Sequence, residues 1–347
     1  PRLRRRRRPA VVPCTYICLM RSAQYDGTMV RRNNDVWTKE SAMAIAEELY
    51  PQDGSIAGAA PGGVAEVRER IARRIEAIEE QAPFAVEVPA AVGPAERETY
   101  GWIDFGHLPN TRDLGGLAAA EGSRVKPGLL LRSGALGFGS DADLRRLRDE
   151  YHLMLVVDLR NDEELIEIPD PMDAFPGARY VHADILARSA TGITQEKATR
   201  EKIARERREF ERSMRDDSDD SMEIMYRYLL MSASGMLGYR SLLRNIIELP
   251  EGAALWHCSV GRDRCGLASA LVETVLGVSW EDIEADYLAT NIFATNEQTF
   301  SYPAVIRALR AARNAASERY GSLMGYIHEA LEVTPAEVEQ LRERYLS

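Results

Sequence analysis

Apolar and polar positions alternate along the chain with two different periods. Between residues 64 and 81, Val67, Ile71, Ile75 and Ile78 fall on one face, and acidic and basic residues share the other. That spacing predicts an amphipathic helix. The stripe fits either the body of the protein or a second copy of the chain. Further on, short apolar runs mark strands at Gly128–Arg132, 154–159, 180–184 and 253–256, with weaker candidates at 84–89 and 102–105. Helical patterns lie between them at 141–151 and 222–249. In the latter, Met225, Leu229 and Met236 form the buried side, and Gly235 and Gly238 are candidate breaks. Leu267, Leu271 and Val275 predict a helix over 266–276 that stops at Gly277, and residues 280–346 read as helical. Strands alternating with helices imply an α/β fold with a largely parallel central sheet flanked by helices. A ligand would then bind at the carboxyl ends of the strands.

Three regions follow from the same reading. Residues 1–36 form a disordered or artefactual tail. Residues 37–83 are an N-terminal helical extension, with a helix over 39–49 and a Pro/Gly/Ala-rich linker over 51–63. Residues 84–347 form the main domain, in which the charge-dense 195–220 is either a helical lid or a solvated surface helix.

One run carries chemistry. His257-Cys-Ser-Val-Gly-Arg-Asp-Arg-Cys-Gly266 follows a strand pattern and opens a helix pattern. Amides of a tight loop and the first helical turn, with the helix dipole behind them, make an anion site. The same field favours the thiolate of Cys258, the reactive form of a cysteine. Arg264, six residues on, can grip two oxygens of a phosphate, and Arg262 adds a further charge. Ser259, Val260 and Gly261 supply the rest of the loop. This points to phosphate monoester cleavage through a phosphocysteine.

The run resembles the HCxAGKDRTG loop of bacterial and fungal tyrosine-protein phosphatases of the triple-specificity kind, which also act on phosphoinositides. Four other blocks are similar to that family and fall in its order: Asn110-Thr-Arg-Asp-Leu-Gly-Gly116, Val125-Lys-Pro-Gly-Leu-Leu-Leu-Arg-Ser-Gly134, Val156-Val-Asp-Leu-Arg160 and Asp286-Tyr-Leu-Ala-Thr-Asn291. The resemblance covers about residues 100–347. It implies a cysteine-phosphatase-like fold, Cys258 as nucleophile, Arg264 as phosphate clamp and Asp263 as general acid. Arg262 stands where the family has Lys, a position linked to highly charged headgroups. By the same resemblance Asp158, Arg160, Arg112 and Asp113 would sit near the loop. Asp158 is the second candidate acid, unless it pairs with Arg160 or Arg132. Tyr287, Asn291 and Tyr326 could reach the pocket, though core packing suits them better.

Cys265 departs from the family, which has Thr or Ser there. A thiol is the weaker donor, so slower release of the phosphoenzyme is expected. A reversible Cys258–Cys265 disulfide is a second reading, and a small buried residue a third. Cys265 also keeps two other functions open: a low-turnover binding module for phosphorylated partners, and a thiol enzyme such as an arsenate reductase or sulfurtransferase. The flanking blocks argue against the last.

Composition narrows the setting. A net charge of −10 argues against general nucleic-acid binding, and no apolar run is long enough for a membrane span. The expected partner is a phosphorylated protein or a phosphoinositide, with no metal or organic cofactor. Cys14 and Cys18 have no matching ligand pair for zinc. Six of the first eight residues are Arg and a mildly apolar stretch follows, which outlines a secretory signal. Pro13 interrupts that stretch, so a cytoplasmic protein is expected, with secretion the alternative.

Overall fold

The computed structural model describes residues 63–82, 86–89, 99–186 and 221–347, with positions 201, 204–206, 208 and 212. The expected tail, the 39–49 helix, nearly all of the linker, and Cys14 and Cys18 lie outside the described residues. So does most of 195–220, whose few described positions are helical.

Among the described residues five strands form one sheet: β1 (Arg112–Asp113), β2 (Leu130–Ser133), β3 (Leu153–Asp158), β4 (Arg179–His182) and β5 (Ala253–His257). Their order is β1-β2-β5-β3-β4, and only β1 runs antiparallel to its neighbour. The register aligns Ser133 with His257, His257 with Asp158, and Asp158 with His182. The carboxyl ends of four strands therefore meet on one edge, with β5 at the centre.

Both faces of the sheet are covered, which explains why its strands read as continuous apolar runs. Leu130, Leu155, Val157, Ala254 and Trp256 face one apolar layer. That layer contains α4 (Ser221–Met231), α5 (Ala233–Glu248), α6 (Asp263–Leu276), α8 (Ile306–Tyr320), α9 (Leu323–Glu329) and α10 (Pro335–Tyr345). Leu131, Val156, Ala253 and Leu255 face the other, against Leu144 and Leu147 of α2 (Asp141–Asp149). The short α3 (Asp162–Glu167) follows β3. Helix α6 is buried nearly all round, wrapped by its neighbours, and Trp256 Nε1 donates to Ser269 Oγ at 3.1 Å to pin it to β5. Gly277, at φ +77, ends it in the left-handed conformation.

The amphipathic helix α1 (Gly63–Gln81) lies on the body. Ile71 and Ile75 pack with Ile292 and Phe293 of α7 (Trp280–Phe293), and Arg70 donates to Asp104 at 2.8 Å. Its apolar stripe has found its cover within this unit of the chain.

Three local expectations change. The segment 102–105 contributes one bridge, Trp102 to Arg112, instead of a strand. Residues 86–89 form no ladder; the Glu87 carbonyl accepts from Asn291 and its carboxylate from the Ile306 amide, so side-chain bonds hold the segment. The 222–249 helix is two helices divided at Ser232, whose hydroxyl caps α5 by accepting from the Gly235 amide at 3.0 Å. The break thus precedes both glycines. At Gly235 a Cβ would lie 2.0 Å from the Leu229 carbonyl oxygen, so glycine permits the tight turn between the helices. No described helix is long and apolar enough to cross a membrane.

Candidate active site

The loop leaves the carboxyl end of the central strand and enters α6 directly. Helix α6 begins at Asp263, three residues earlier than the apolar pattern predicts, so Asp263, Arg264 and Cys265 form its first turn. Arg262 is the N-cap and makes no capping bond from its side chain. Cys258 is buried at the start of the loop.

The loop carbonyls are tied outward. Ser259 O accepts from the Ala135 amide at 3.2 Å. Asn110 Nδ2 donates to Val260 O and Gly261 O, at 3.2 and 3.1 Å, and Arg132 Nη2 donates to Gly261 O at 2.9 Å. Because each peptide is planar, outward carbonyls turn the following amides toward the loop interior. This is the concave amide cradle that binds anions. Gly261, at φ +69, makes the approach possible: a Cβ there would meet the Ser133 carbonyl at 2.7 Å.

A buried ion network stands behind the loop. Asp286 of α7 accepts from Arg132 at 2.5 Å and from Arg112 at 3.4 Å, all with fully buried side chains. Arg112 Nη2 also donates to the Asp286 carbonyl at 2.8 Å, and Arg112 meets the Asn110 side chain. Arg112 thus supports the loop from behind. Asp113 instead orders a turn, accepting from the amides of Gly115 and Gly128.

Arg264 reaches across to α3. Its Nη1 and Nη2 donate to the Glu164 carboxylate at 2.6 and 2.7 Å, and Ser259 Oγ donates to the same carboxylate. Burial pushes Glu164 up, but the Arg264 charge and these hydrogen bonds outweigh it and hold the carboxyl at about 2. Since that value is depressed, the pair's stabilisation is complete above about pH 4.5 and drains as pH falls toward 2. Glu164→Gln is expected to lower kcat/KM roughly tenfold by loosening the clamp. An unchanged kcat/KM on an aryl phosphate would show that Arg264 needs no such support.

Asp263 is clasped. Arg262 donates to both its oxygens, at 3.0 and 3.1 Å, and the Tyr226 hydroxyl donates to Oδ1 at 2.7 Å. Burial pushes its carboxyl up, but Arg262 and the hydrogen bonds leave it below the ordinary carboxylate range.

Asp158 and Arg160 occupy a different place from the loop residues. Arg160 donates to Asp158 through Nε and Nη2, at 2.9 and 2.6 Å, and Tyr180 donates to Asp158 at 2.9 Å. The expected Arg160 pairing is present, and Arg132 pairs with Asp286 instead. Arg160 also holds Asp170 at 2.9 Å, and Asp170 Oδ2 lies 2.8 Å from His257 Nε2. Burial lowers the His257 proton affinity, but Asp158 and Asp170 outweigh it and raise it. Asp158 and Arg160, both buried, thus join the site through His257 beneath the loop. Asp158, Asp170 and His257 are donor types a metal would use and lie within 4.8 Å of one another, yet the Arg160 guanidinium already sits between the carboxylates as their cation.

Cys265 is fully buried, and its thiol donates to the Trp256 carbonyl at 3.6 Å. Burial pushes that thiol up to about 12, so it stays protonated. Cys258 and Cys265 are both free. Among the other aromatic and amide candidates, Asn291 and Tyr326 bond to backbone carbonyls in the core. Tyr287 bonds Tyr226 behind Asp263.

Glu164, Asp170 and Tyr226 are the site residues that sequence reasoning missed. Asn161 and Glu164 form a capping box at α3, whose sequence signature is visible, but nothing in it announces a partner on α6.

A model of the tyrosine phosphatase family matches residues 103–347. A Cupriavidus necator protein named "Putative tyrosine-protein phosphatase" is 32% identical over 282 residues, covering 75% of this chain and 94% of that protein. The triple specificity protein phosphatase PtpB of Mycobacterium tuberculosis is 30% identical over 271 residues, covering 67% of this chain and 95% of that protein. A buried cysteine at the start of a tight loop, an arginine in the helical turn that follows and a family match spanning the whole sheet agree: the chain belongs to the tyrosine phosphatase family.

Proposed function

We propose that the chain cleaves phosphate monoesters through a phosphocysteine on Cys258. The observation that carries this reading is the loop itself. Its carbonyls are bound from outside by Ala135, Asn110 and Arg132, so its amides are organised around the sulfur before any substrate arrives. Such preorganised donors stabilise the charge on a transferring phosphoryl group. Cys258 sulfur attacks phosphorus as the bond to the leaving oxygen breaks. Arg264, oriented by Glu164, holds the equatorial oxygens. Water then attacks the phosphocysteine, releases phosphate and restores the thiolate.

Asp263 is the better leaving-group acid. Its side chain is 12% exposed at the helix start, whereas that of Asp158 is at 0% and held by Arg160 and Tyr180. Before Asp263 can give a proton it must take one. The dianionic substrate favours this, because it offsets the Arg262 charge that keeps Asp263 ionised. Phosphotyrosine and phosphoserine proteins and phosphoinositides are the proposed substrates, with Arg262 beside the cradle to meet a highly charged headgroup. The name of the Mycobacterium tuberculosis relative supports a broad range.

The test is acid quench during turnover of an aryl phosphate. Intact protein mass should rise by one phosphoryl group, on the peptide carrying Cys258. Turnover without any such adduct, in wild type and in slow variants, would remove the covalent path. Cys265→Thr sharpens the test. The Cys265 thiol is committed to Trp256 O, whereas a hydroxyl is the stronger donor. Faster phosphoenzyme breakdown and a smaller trapped fraction are expected in Cys265→Thr, and identical burst kinetics would count against it. A thiol enzyme that resolves through Cys265 is disfavoured, because a thiol held protonated in the core is a poor nucleophile.

A further inference from the structure

Two buried phenols stand behind the proposed acid, and the mechanism above uses neither. Tyr226 lies on α4 and Tyr287 on α7, with their rings edge-on at 87° and their hydroxyl oxygens 2.5 Å apart. Tyr226 also lies 2.7 Å from Asp263 Oδ1. Burial pushes both phenols up, so each keeps its proton. An ionised carboxylate can only accept. Tyr226 must therefore give its single proton to Asp263, and its oxygen is left to accept from Tyr287. The chain has one direction: Tyr287 to Tyr226 to Asp263. Hydrogen bonds in series polarise one another, which strengthens the last.

The geometry also divides the two oxygens of Asp263. Oδ1 accepts from Tyr226 and from Arg262 Nε, whereas Oδ2 accepts from Arg262 Nη2. Arg262, buried at the loop's end, is the cationic partner that a substrate anion can attract. Tyr226 is anchored in the core.

Resting on the reading of Asp263 as the acid, we infer that Tyr226, backed by Tyr287, is the positioning residue of the leaving-group acid. It pins Oδ1 to α4 and leaves Oδ2 to carry the proton. In the step itself, the Oδ2 proton passes to the leaving oxygen. That oxygen takes the electron pair of the breaking P–O bond, sulfur forms the new bond to phosphorus, and Asp263 ends as a carboxylate that Tyr226 stabilises. The charged and titratable groups facing Asp263 are Arg262, Arg264, Tyr226 and Tyr287. The arginines and both tyrosines hold their protons throughout an acid-to-neutral assay, so Asp263 alone among them titrates there.

The experiment is the pH profile of kcat, which reports the enzyme–substrate complex, for a phosphoserine peptide and for p-nitrophenyl phosphate, in wild type, Tyr226→Phe, Tyr287→Phe and Asp263→Asn. The alkyl leaving group needs the acid more. In wild type its profile falls as Asp263 loses its proton. Removing a donor that favours the carboxylate should move that falling limb up by about one pH unit in Tyr226→Phe. The alkyl-to-aryl ratio of kcat below the limb should drop roughly tenfold, as positioning is lost. Tyr287→Phe should move the limb the same way by less, and it breaks the chain from the far end should Tyr226→Phe fold poorly. Two results overturn different claims. A limb lost in Asp263→Asn but unmoved in both phenylalanine variants makes the tyrosines core packing only. A limb that survives in Asp263→Asn removes Asp263 as the acid.

Discussion

Cys258→Ser is expected to lower kcat on an aryl phosphate by about 10⁴-fold or more, the scale seen when a catalytic nucleophile is removed. The substitution changes one buried atom and little volume, so the fold should persist. A hydroxyl offers far less anion near neutral pH than a thiol, and the loop that organises the site around Cys258 cannot compensate. The cradle does not depend on that atom. Asn110, Arg132 and Ala135 bind the loop carbonyls, and Glu164 orients Arg264. Binding of phosphate or a phosphopeptide should therefore survive, within about a factor of a few, which makes the variant a substrate trap. Steady-state assay and calorimetric titration would check the two halves. Activity retained at the wild-type level would place the chemistry on another residue. Activity and binding lost together would mean that the sulfur itself builds the cradle.

Asp286→Ala is expected to cost about 3–5 kcal/mol of stability, the range for removing one partner of a buried ion pair. Arg112, Arg132 and Asp286 all have side chains at 0% exposure, so deleting the carboxylate leaves two guanidinium groups buried beside each other without it. Net folding stabilities are only about 5–15 kcal/mol, so this single change should move the urea midpoint well down. The site should suffer as well, because Arg132 also holds Gly261 O at 2.9 Å. Asp286→Asn keeps the volume and an acceptor and should fall between the variant and wild type. Chemical denaturation monitored by tryptophan fluorescence measures the loss. A change below about 1 kcal/mol would show that the network is solvated or that Glu273, also near Arg132, supplies the counter-charge.

The two predictions draw on residues of very different visibility. Cys258 to Arg264 could be read in advance because those residues are contiguous. One strand, one tight loop and one helix start place them all, and local sequence dictates each of these. Asp286, Asn110 and Arg132 were present inside recognisable blocks, but their roles were not. Arg132 meets its carboxylate 154 residues away, and Arg264 meets Glu164 at a separation of 100. A charged residue in an acidic run such as 162–167 looks like a solvated helix face until the fold brings an arginine to it. Tyr226 was one of two tyrosines on an apolar helix, and only the approach of α4 and α7 to the start of α6 reveals its partner.

Strand and helix misreadings share this cause. Residues 86–89 and 102–105 have the composition of strands, yet a strand needs a paired neighbour: the Glu87 carbonyl bonds the Asn291 side chain, and Trp102 makes one bridge to Arg112. The break at Ser232 came from a cap, which local sequence encodes, but two glycines nearby gave a stronger apparent signal.

By itself the sequence determined the α/β class, the parallel strands and the strand–loop–helix that holds Cys258, because hydrophobic period and contiguous motif are local properties. Tertiary structure alone decided which distant carboxylate an arginine holds: Glu164 for Arg264 and Asp286 for Arg132. With 40 arginines and 54 acidic residues in the chain, many pairings are chemically equivalent. Hydrogen-bonded ion pairs form only when the partners come within a few ångströms, so the choice is made when the sheet closes.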